Sequence, residues 1–215
     1  MNIRERILGT STGYWSHKRL FSADSANSTI VHEYLRPTAG ETVLDVGCGV
    51  GDIVHHMGDA LYVGIDQNAD YIKKARRNSE GRGTFITASV EELPGLSLDP
   101  FDKVVIIGVL HHLDDDVVTG LMAALPQVMK PGAPLIVAEN AWTPDQATTA
   151  RVLIALDRGR NVREVTGYER LIEPYFDVAR STVRHDLLRF PYTYVVIEAT
   201  AKVGVPASVL ADGHS

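Results

Sequence analysis

Cysteine is nearly absent from this chain of 215 residues: Cys48 stands alone. No disulfide can form within the chain, which excludes a cross-linked secreted scaffold and makes a reducing cytoplasm the expected location. Long apolar runs are missing as well. No stretch approaches the ~18 residues of a membrane span, and Met1–Arg6 opens on charge rather than on the pattern of a signal peptide. No membrane partner is expected. Positive charge is the third scarcity. Lys and Arg number 21 against 27 Asp and Glu, a net charge of −6, whereas nucleic-acid-binding domains usually carry a basic face; nucleic acid is not the expected partner on this ground. Repeats are absent too. What remains is ordinary for a globular protein, 45% hydrophobic and 22% charged residues, and the length predicts a single domain over 1–215.

Against that background one stretch is distinctive: Val43–Asp52, Val-Leu-Asp-Val-Gly-Cys-Gly-Val-Gly-Asp. Val43, Leu44 and Val46 have the β-branched and aliphatic character of a buried strand. The strand runs into Gly47, Gly49 and Gly51, which allow a tight turn and a close approach of backbone to ligand. Residues from about Val50 to Met57 read as a helix pointing its N-terminus at the loop, an arrangement suited to a nucleotide. The spacing Gly47-x-Gly49-x-Gly51 brings the third glycine one residue earlier than the dinucleotide fingerprint does. Asp45, just before the turn, would repel a diphosphate and attract a cation. A second strand, Leu61–Ile65, ends on Asp66, 19 residues after Gly47, where a carboxylate can accept hydrogen bonds from ribose hydroxyls. An adenosine without phosphates, bearing an amine and a positive charge, satisfies these features. S-adenosylmethionine has that chemistry.

The same residues carry a family resemblance. Val43–Asp52 resembles the first motif of class I S-adenosylmethionine-dependent methyltransferases, and Gly64-Ile65-Asp66 resembles the second. Phe101–Leu113, with Ile107-Gly108-Val109-Leu110-His111-His112-Leu113, is similar to the fourth-strand motif, and Met129-Lys130-Pro131-Gly132 to the turn before the fifth strand. These motifs occur in the family's order between Pro37 and Glu139. The C-terminal pattern, Asp157-Arg158-Gly159 through Arg184–Arg189, also looks like a group of small bacterial methyltransferases without an assigned substrate. The resemblance implies an α/β fold, a Rossmann-like three-layer sandwich around a mostly parallel seven-stranded sheet with an antiparallel C-terminal strand. It implies S-adenosylmethionine as cofactor and S-adenosylhomocysteine as product. The implied cofactor shell is Trp15, Asp45, Gly47, Cys48, Gly49, Asp66, Gln67, Ser89, Val90 and Gly108. Ser89 stands where the family usually places an acid for the adenine amino group, and a hydroxyl accepts that bond more weakly.

Four parts are expected within the one domain. Residues 1–22 form an N-terminal arm whose Tyr14 and Trp15 either close over the cofactor or merely anchor the arm; residues 37–140 form the cofactor-binding core. Residues 140–175 hold the acceptor-site insertion and the last helix, and residues 203–215 form a tail. Further expected elements are helices at Ser25–Leu35, Asn68–Ser79, Asp115–Met129 (kinked or shortened at Pro126), about Asp145–Leu156 and Gly167–Tyr175. Strands are expected at Thr84–Thr87, Phe101–Ile107, Leu135–Glu139, Asp177–His185 and Tyr192–Lys202. The basic face Lys73, Lys74, Arg76 and Arg77 reads as solvated surface.

For methyl transfer to a hydroxyl or an ammonium, a proton must leave, and imidazole is suited to take it. His111 and His112 follow the fourth strand, at the end of an open α/β sheet where ligands bind. As consecutive residues they should face different ways, one toward the acceptor and one toward the core; pure packing is the competing reading, and His185 is a second choice. The fourth strand lacks the Asn/Asp-Pro-Pro-Tyr/Phe ending of amino-methylating nucleic-acid enzymes, and no Pro-Cys nucleophile exists. Glu139-Asn140 echoes a catechol-type metal site, but the matching acid after strand four is missing, so no metal is expected. The expected function is methyl transfer to an O or N atom of a small molecule. A macromolecular acceptor, RNA or protein, and a cofactor-binding protein without methyl transfer remain as alternatives.

Overall fold

The apolar runs become the strands of one sheet. In the computed structural model, which describes residues 24–156 and 161–202, they are β1 (Thr42–Val46), β2 (Leu61–Asp66), β3 (Thr84–Thr87), β4 (Lys103–Ile107), β5 (Pro134–Trp142), β6 (Arg163–Glu164), β7 (Phe176–Arg184) and β8 (Tyr194–Ala201). The order is β3-β2-β1-β4-β5-β8-β7, with β6 paired to the end of β5. β8 runs antiparallel to both β5 and β7, while the other pairings are parallel. This is the expected Rossmann-like α/β sandwich, with one strand more than the seven expected. β6 has two residues, too few to leave a periodic signature in sequence. Chain order reverses between β1 and β4, and a crevice at such a switch point is where open α/β sheets bind ligands.

Successive residues of a strand face opposite ways, so each central strand supplies two layers of core. Leu44, Val46, Val104, Ile106, Leu135 and Val137 pack on one face with Val118, Leu121, Met122, Tyr168 and Ile172. Val43, Val105, Ile136 and Val196 pack on the other with Ile30, Val31, Leu35, Ile72 and Ala75. Residues 24–29 are α-helical and Ile30–Leu35 continue as a π-helix. The Ala69–Asn78 helix starts where Asn68 Oδ1 accepts the Asp70 and Tyr71 N–H groups, a cap worth ~1 kcal/mol.

The last helix is Val165–Ile172, a few residues earlier than the expected Gly167–Tyr175, and three further elements differ from expectation, each for a local reason. The helix expected over Val50–Met57 is a 3-10 turn, Asp52–His56. It is confined between Gly51 and Gly58, both at positive φ, and five residues are too few to sustain an α-helix. The Asp115–Met129 helix ends at Ala124, and Leu125–Gln127 form a 3-10 turn around Pro126, which cannot donate a backbone hydrogen bond. β5 continues past Glu139 to Trp142 because β8 and β6 both pair with its last residues. Glu139 and Asn140 are therefore strand residues that face opposite sides of the sheet. The expected arm with Tyr14 and Trp15, the tail 203–215 and Asp157-Arg158-Gly159 lie outside the described residues.

Candidate active site

The turn after β1 is fixed by its own amides. The N–H groups of Gly47 and Cys48 donate to Ile65 O at 2.8 and 2.9 Å, and Gly49 N–H donates to Asp66 Oδ2 at 2.9 Å. Gly51 N–H turns back to Cys48 O at 2.9 Å. With these donors engaged, Gly47, Cys48, Gly49 and Gly51 have no amide left for a pyrophosphate. Gly47 sits at φ 75°, and a Cβ there would meet Val109 Cγ2 at 2.4 Å; Gly49, at φ 56°, has nothing within 4 Å of that position. The loop is thus packed on its inner side and open on its outer side. Asp66 Oδ1 accepts Asn68 N–H at 2.7 Å, so each carboxylate oxygen holds one loop amide and keeps a further lone pair. Gln67 beside it is exposed.

Asp45 lies behind the loop, 4% exposed. Its Oδ2 accepts the Tyr62 hydroxyl at 2.6 Å. Burial pushes its carboxyl up to about 7, and the acidic neighbours Asp66 and Asp52 push the same way against the Tyr62 bond. A carboxylate in this position favours a cationic ligand. Cys48 is buried, and burial first, then Asp45 and Asp66, push its thiol up. Its sulfur is therefore a packing atom rather than a nucleophile.

Tyr62 reaches Asp45 across Gly64, its neighbour two residues on along β2. A Cβ on Gly64 would come within 2.8 Å of Cys48 Sγ, 2.9 Å of Cys48 Cβ and 3.0 Å of the Tyr62 hydroxyl. Gly64→Ala is expected to lower stability by ~1–3 kcal/mol through overpacking, read as the midpoint of denaturant unfolding. An unchanged midpoint would show that the three side chains rearrange freely.

Ser89 and Val90 are half-buried beyond β3. Ala88 N–H donates to Asp66 O at 3.1 Å, which ties this turn to the end of β2, and Glu92 N–H donates to Ser89 O at 3.2 Å. Ser89 N–H in turn donates to Glu92 Oε2 at 2.7 Å. Gly108, at φ 66°, donates its N–H to Ala138 O at 2.9 Å and opens the turn that carries the histidines.

That turn, Leu110–His112, is a single 3-10 turn. His111 is 4% exposed and Glu139, opposite it on β5, is 0% exposed. Glu139 Oε2 lies 2.6 Å from His111 Nδ1, and Oε1 accepts the N–H groups of Val109 and Leu110, both at 2.7 Å. A buried carboxylate is thereby surrounded by three donors, one of them the imidazole. His112 is exposed, its ring centroid 4.0 Å from that of His111. His185 is engaged elsewhere, with Nδ1 3.1 Å from Thr193 Oγ1 and Nε2 3.5 Å from Asp145. Among the described residues no three His, Cys, Asp or Glu side chains converge as a metal site would require.

Glu139 is the functional candidate that sequence reasoning left without a role. Its one sequence signal is an isolated acid at the end of the apolar run Leu135–Ala138, a position where a carboxylate needs a buried partner. Asn140, facing the other way, donates to the Tyr192 hydroxyl at 3.0 Å, and its carbonyl accepts the Tyr168 hydroxyl at 2.9 Å.

Residues 43–132 match the family model described as "Methyltransferase domain". Cyclopropane-fatty-acyl-phospholipid synthase of Escherichia coli is 30% identical over 125 residues, covering 56% of this chain and 32% of that protein. Ubiquinone biosynthesis O-methyltransferase of Xanthomonas axonopodis pv. citri is 32% identical over 132 residues, covering 59% of this chain and 54% of that protein. Among solved structures, magnesium protoporphyrin IX methyltransferase of Synechocystis with bound S-adenosylhomocysteine superposes with a TM-score of 0.65 at 18% identity, covering 92% of this chain and 97% of that one. The chain spans about a third of the length of the first relative and about half of the second. Residues 43–132 carry the methyltransferase domain, and the chain as a whole has the fold of, and is similar to, class I S-adenosylmethionine-dependent methyltransferases. The site fits that cofactor: engaged loop amides disfavour phosphate, and the acids Asp45 and Asp66 suit a cationic nucleoside. No described helix is long and apolar enough to cross a membrane.

Proposed function

We propose that this chain transfers a methyl group from S-adenosylmethionine to an oxygen or nitrogen atom of a small-molecule acceptor, with His111 taking up the acceptor's proton. The observation that carries the reading is the 2.6 Å contact between His111 Nδ1 and the buried Glu139 carboxylate, made where the turn beyond the carboxyl end of β4 meets the C-terminal half of β5. When bound, the cofactor supplies the methyl group by in-line displacement at its sulfonium carbon. The residues that would hold it are Asp45, Gly47, Gly49, Asp66, Ser89 and Val90, with Cys48, Gln67 and Gly108 around them.

The chain's own contribution is positioning and proton uptake. Glu139 accepts the Nδ1 proton of a neutral imidazole, leaving Nε2 with its lone pair as the base. As Nε2 gains the acceptor's proton, the carboxylate 2.6 Å away stabilises the imidazolium. Glu139 acts through His111 and is a positioning residue. Two of the similar proteins, a ubiquinone biosynthesis O-methyltransferase and a magnesium protoporphyrin IX methyltransferase, support a small acceptor rather than a macromolecule. The test is S-adenosylhomocysteine release measured across a panel of hydroxylated and amino-bearing small molecules, with RNA and protein as comparators. Release with RNA or protein alone would replace the small-molecule reading with a macromolecular one, and release with none would favour a binding protein.

The cofactor assignment has its own test. Asp66→Ala removes charge-assisted bonds to the ribose and also frees the Gly49 amide, so S-adenosylmethionine affinity is expected to fall by ~1.5–3 kcal/mol, about ten- to a hundredfold. Calorimetry on the folded variant decides it, and an unchanged affinity would remove Asp66 from the cofactor site.

A further inference from the structure

The turn that carries His111 is too short to hold itself in place, since an isolated 3-10 turn has poor hydrogen-bond geometry and no cooperative neighbours. Its amide end is held by Glu139. Its carbonyl end is held from the opposite side by Arg163, the first residue of β6, whose side chain is only 10% exposed. Arg163 Nη1 donates to Leu110 O at 2.8 Å, and Nη2 donates to Leu113 O at 2.8 Å. Nη1 also reaches Asn161 O at 3.0 Å, while Nε and Nη2 grip Asp115 Oδ1 at 2.9 and 2.6 Å. The guanidinium lies 5.6 Å from the centre of the Tyr168 ring. Two residues earlier, Asn161 donates its backbone N–H to His111 O at 3.0 Å and its side-chain amide to Asp114 Oδ1 at 2.9 Å.

The carbonyls of residues 110, 111 and 113 are thus all engaged by the segment 161–163. A carboxylate closes the amide end of the turn and a guanidinium its carbonyl end, each charge matching the local dipole. The pattern calls for arginine: its planar fork reaches several fixed acceptors at once, whereas lysine presents a single point charge.

We propose that Arg163 is a positioning residue for His111: by bridging the Leu110 and Leu113 carbonyls it fixes the turn so that Glu139 holds the imidazole in one tautomer. The inference rests on reading His111 as the base, and its test does not require turnover. Nitrogen-15 spectra of the histidine rings are recorded on the full chain with S-adenosylhomocysteine added, for wild type, Arg163→Lys, Arg163→Gln and Asp115→Asn. The His111 signals are assigned by their loss in His111→Gln. Wild type is expected to show His111 as a single Nδ1-protonated tautomer. Both Arg163 variants are expected to bind S-adenosylhomocysteine as wild type does, which shows them folded, yet to lose the single-tautomer signature. Asp115→Asn is expected to keep it, because its partner is only the outer edge of the fork.

A wild-type signature in both Arg163 variants overturns the proposal, and so does the absence of a single tautomer in wild type. Arg163→Lys retains the charge and the pairing with Asp115, so it tests the fork even where the glutamine variant fails to fold. Should His111 prove dispensable for turnover, the base reading fails on that result alone while the spectra still report whether Arg163 sets the ring.

Discussion

Exchanging His111 for asparagine is expected to lower turnover by ~10²–10⁴-fold, the usual contribution of a positioned general base, with cofactor affinity nearly unchanged. Asparagine keeps a hydrogen-bonding side chain beside Glu139 but cannot take up the acceptor's proton. In the proposed site, cofactor affinity would rest elsewhere, on Asp45, Asp66 and the glycine loop. His111→Ala should be as damaging to turnover, and it should also unsettle the fold: it strips one of three donors from a carboxylate with no solvent exposure, a loss of ~1–3 kcal/mol. Turnover with the acceptor that releases S-adenosylhomocysteine, alongside calorimetry of cofactor binding, separates these effects. Wild-type rates in both variants would assign His111 to packing and pass the role to the exposed neighbour His112. A loss of cofactor binding would instead place His111 in the cofactor shell.

What could be read from the sequence here is what depends on neighbours along the chain. The strand-then-glycine stretch Val43–Asp52, the acid at the end of β2 and the helix expected at Asn68–Ser79 are local signals, and each lies where its pattern predicts. The long-range partners leave no such trace. Glu139 meets His111 across 28 residues, and Arg163 meets Leu110 across 53; neither separation has a period or a motif. Tyr62 shows the same limit. It reads as a strand aromatic, and only the parallel register that places Asp45 opposite Gly64 lets its hydroxyl cross to the acid. Helix type was also beyond reach at Asp52–His56, because apolar spacing does not distinguish five residues of 3-10 turn from the first turns of an α-helix. The backbone plan was legible; the charges that orient the candidate base were not.

Asp45 gives the second large effect, one in which stability and function oppose each other. Asp45→Asn is expected to stabilise the ligand-free protein at neutral pH and to weaken S-adenosylmethionine binding. Burial raises the carboxyl from 3.8 to about 7 in the folded chain, against ~3.9 when unfolded. A carboxyl raised on folding contributes stability that is fully present below about pH 4 and is lost progressively as pH rises to about 7. At 1.36 kcal/mol per pH unit the upper bound of that loss is about 4 kcal/mol. A bound cation changes the balance, because a positive charge beside Asp45 favours the ionised form that burial disfavours. Wild-type affinity for S-adenosylmethionine should therefore rise between pH 5.5 and 8, a window set by the value of about 7. In Asp45→Asn the Tyr62 hydroxyl still finds an oxygen to donate to, but no charge remains to titrate. Other groups also titrate across this window, so the readout is the difference between the two proteins. Unfolding midpoints at pH 5 and pH 8 should fall more steeply for ligand-free wild type than for the variant, and calorimetry should show the variant binding more weakly and with a flatter pH profile. Parallel pH profiles in both measurements would show that Asp45 stays in one protonation state throughout and takes no part in holding the cofactor's charge.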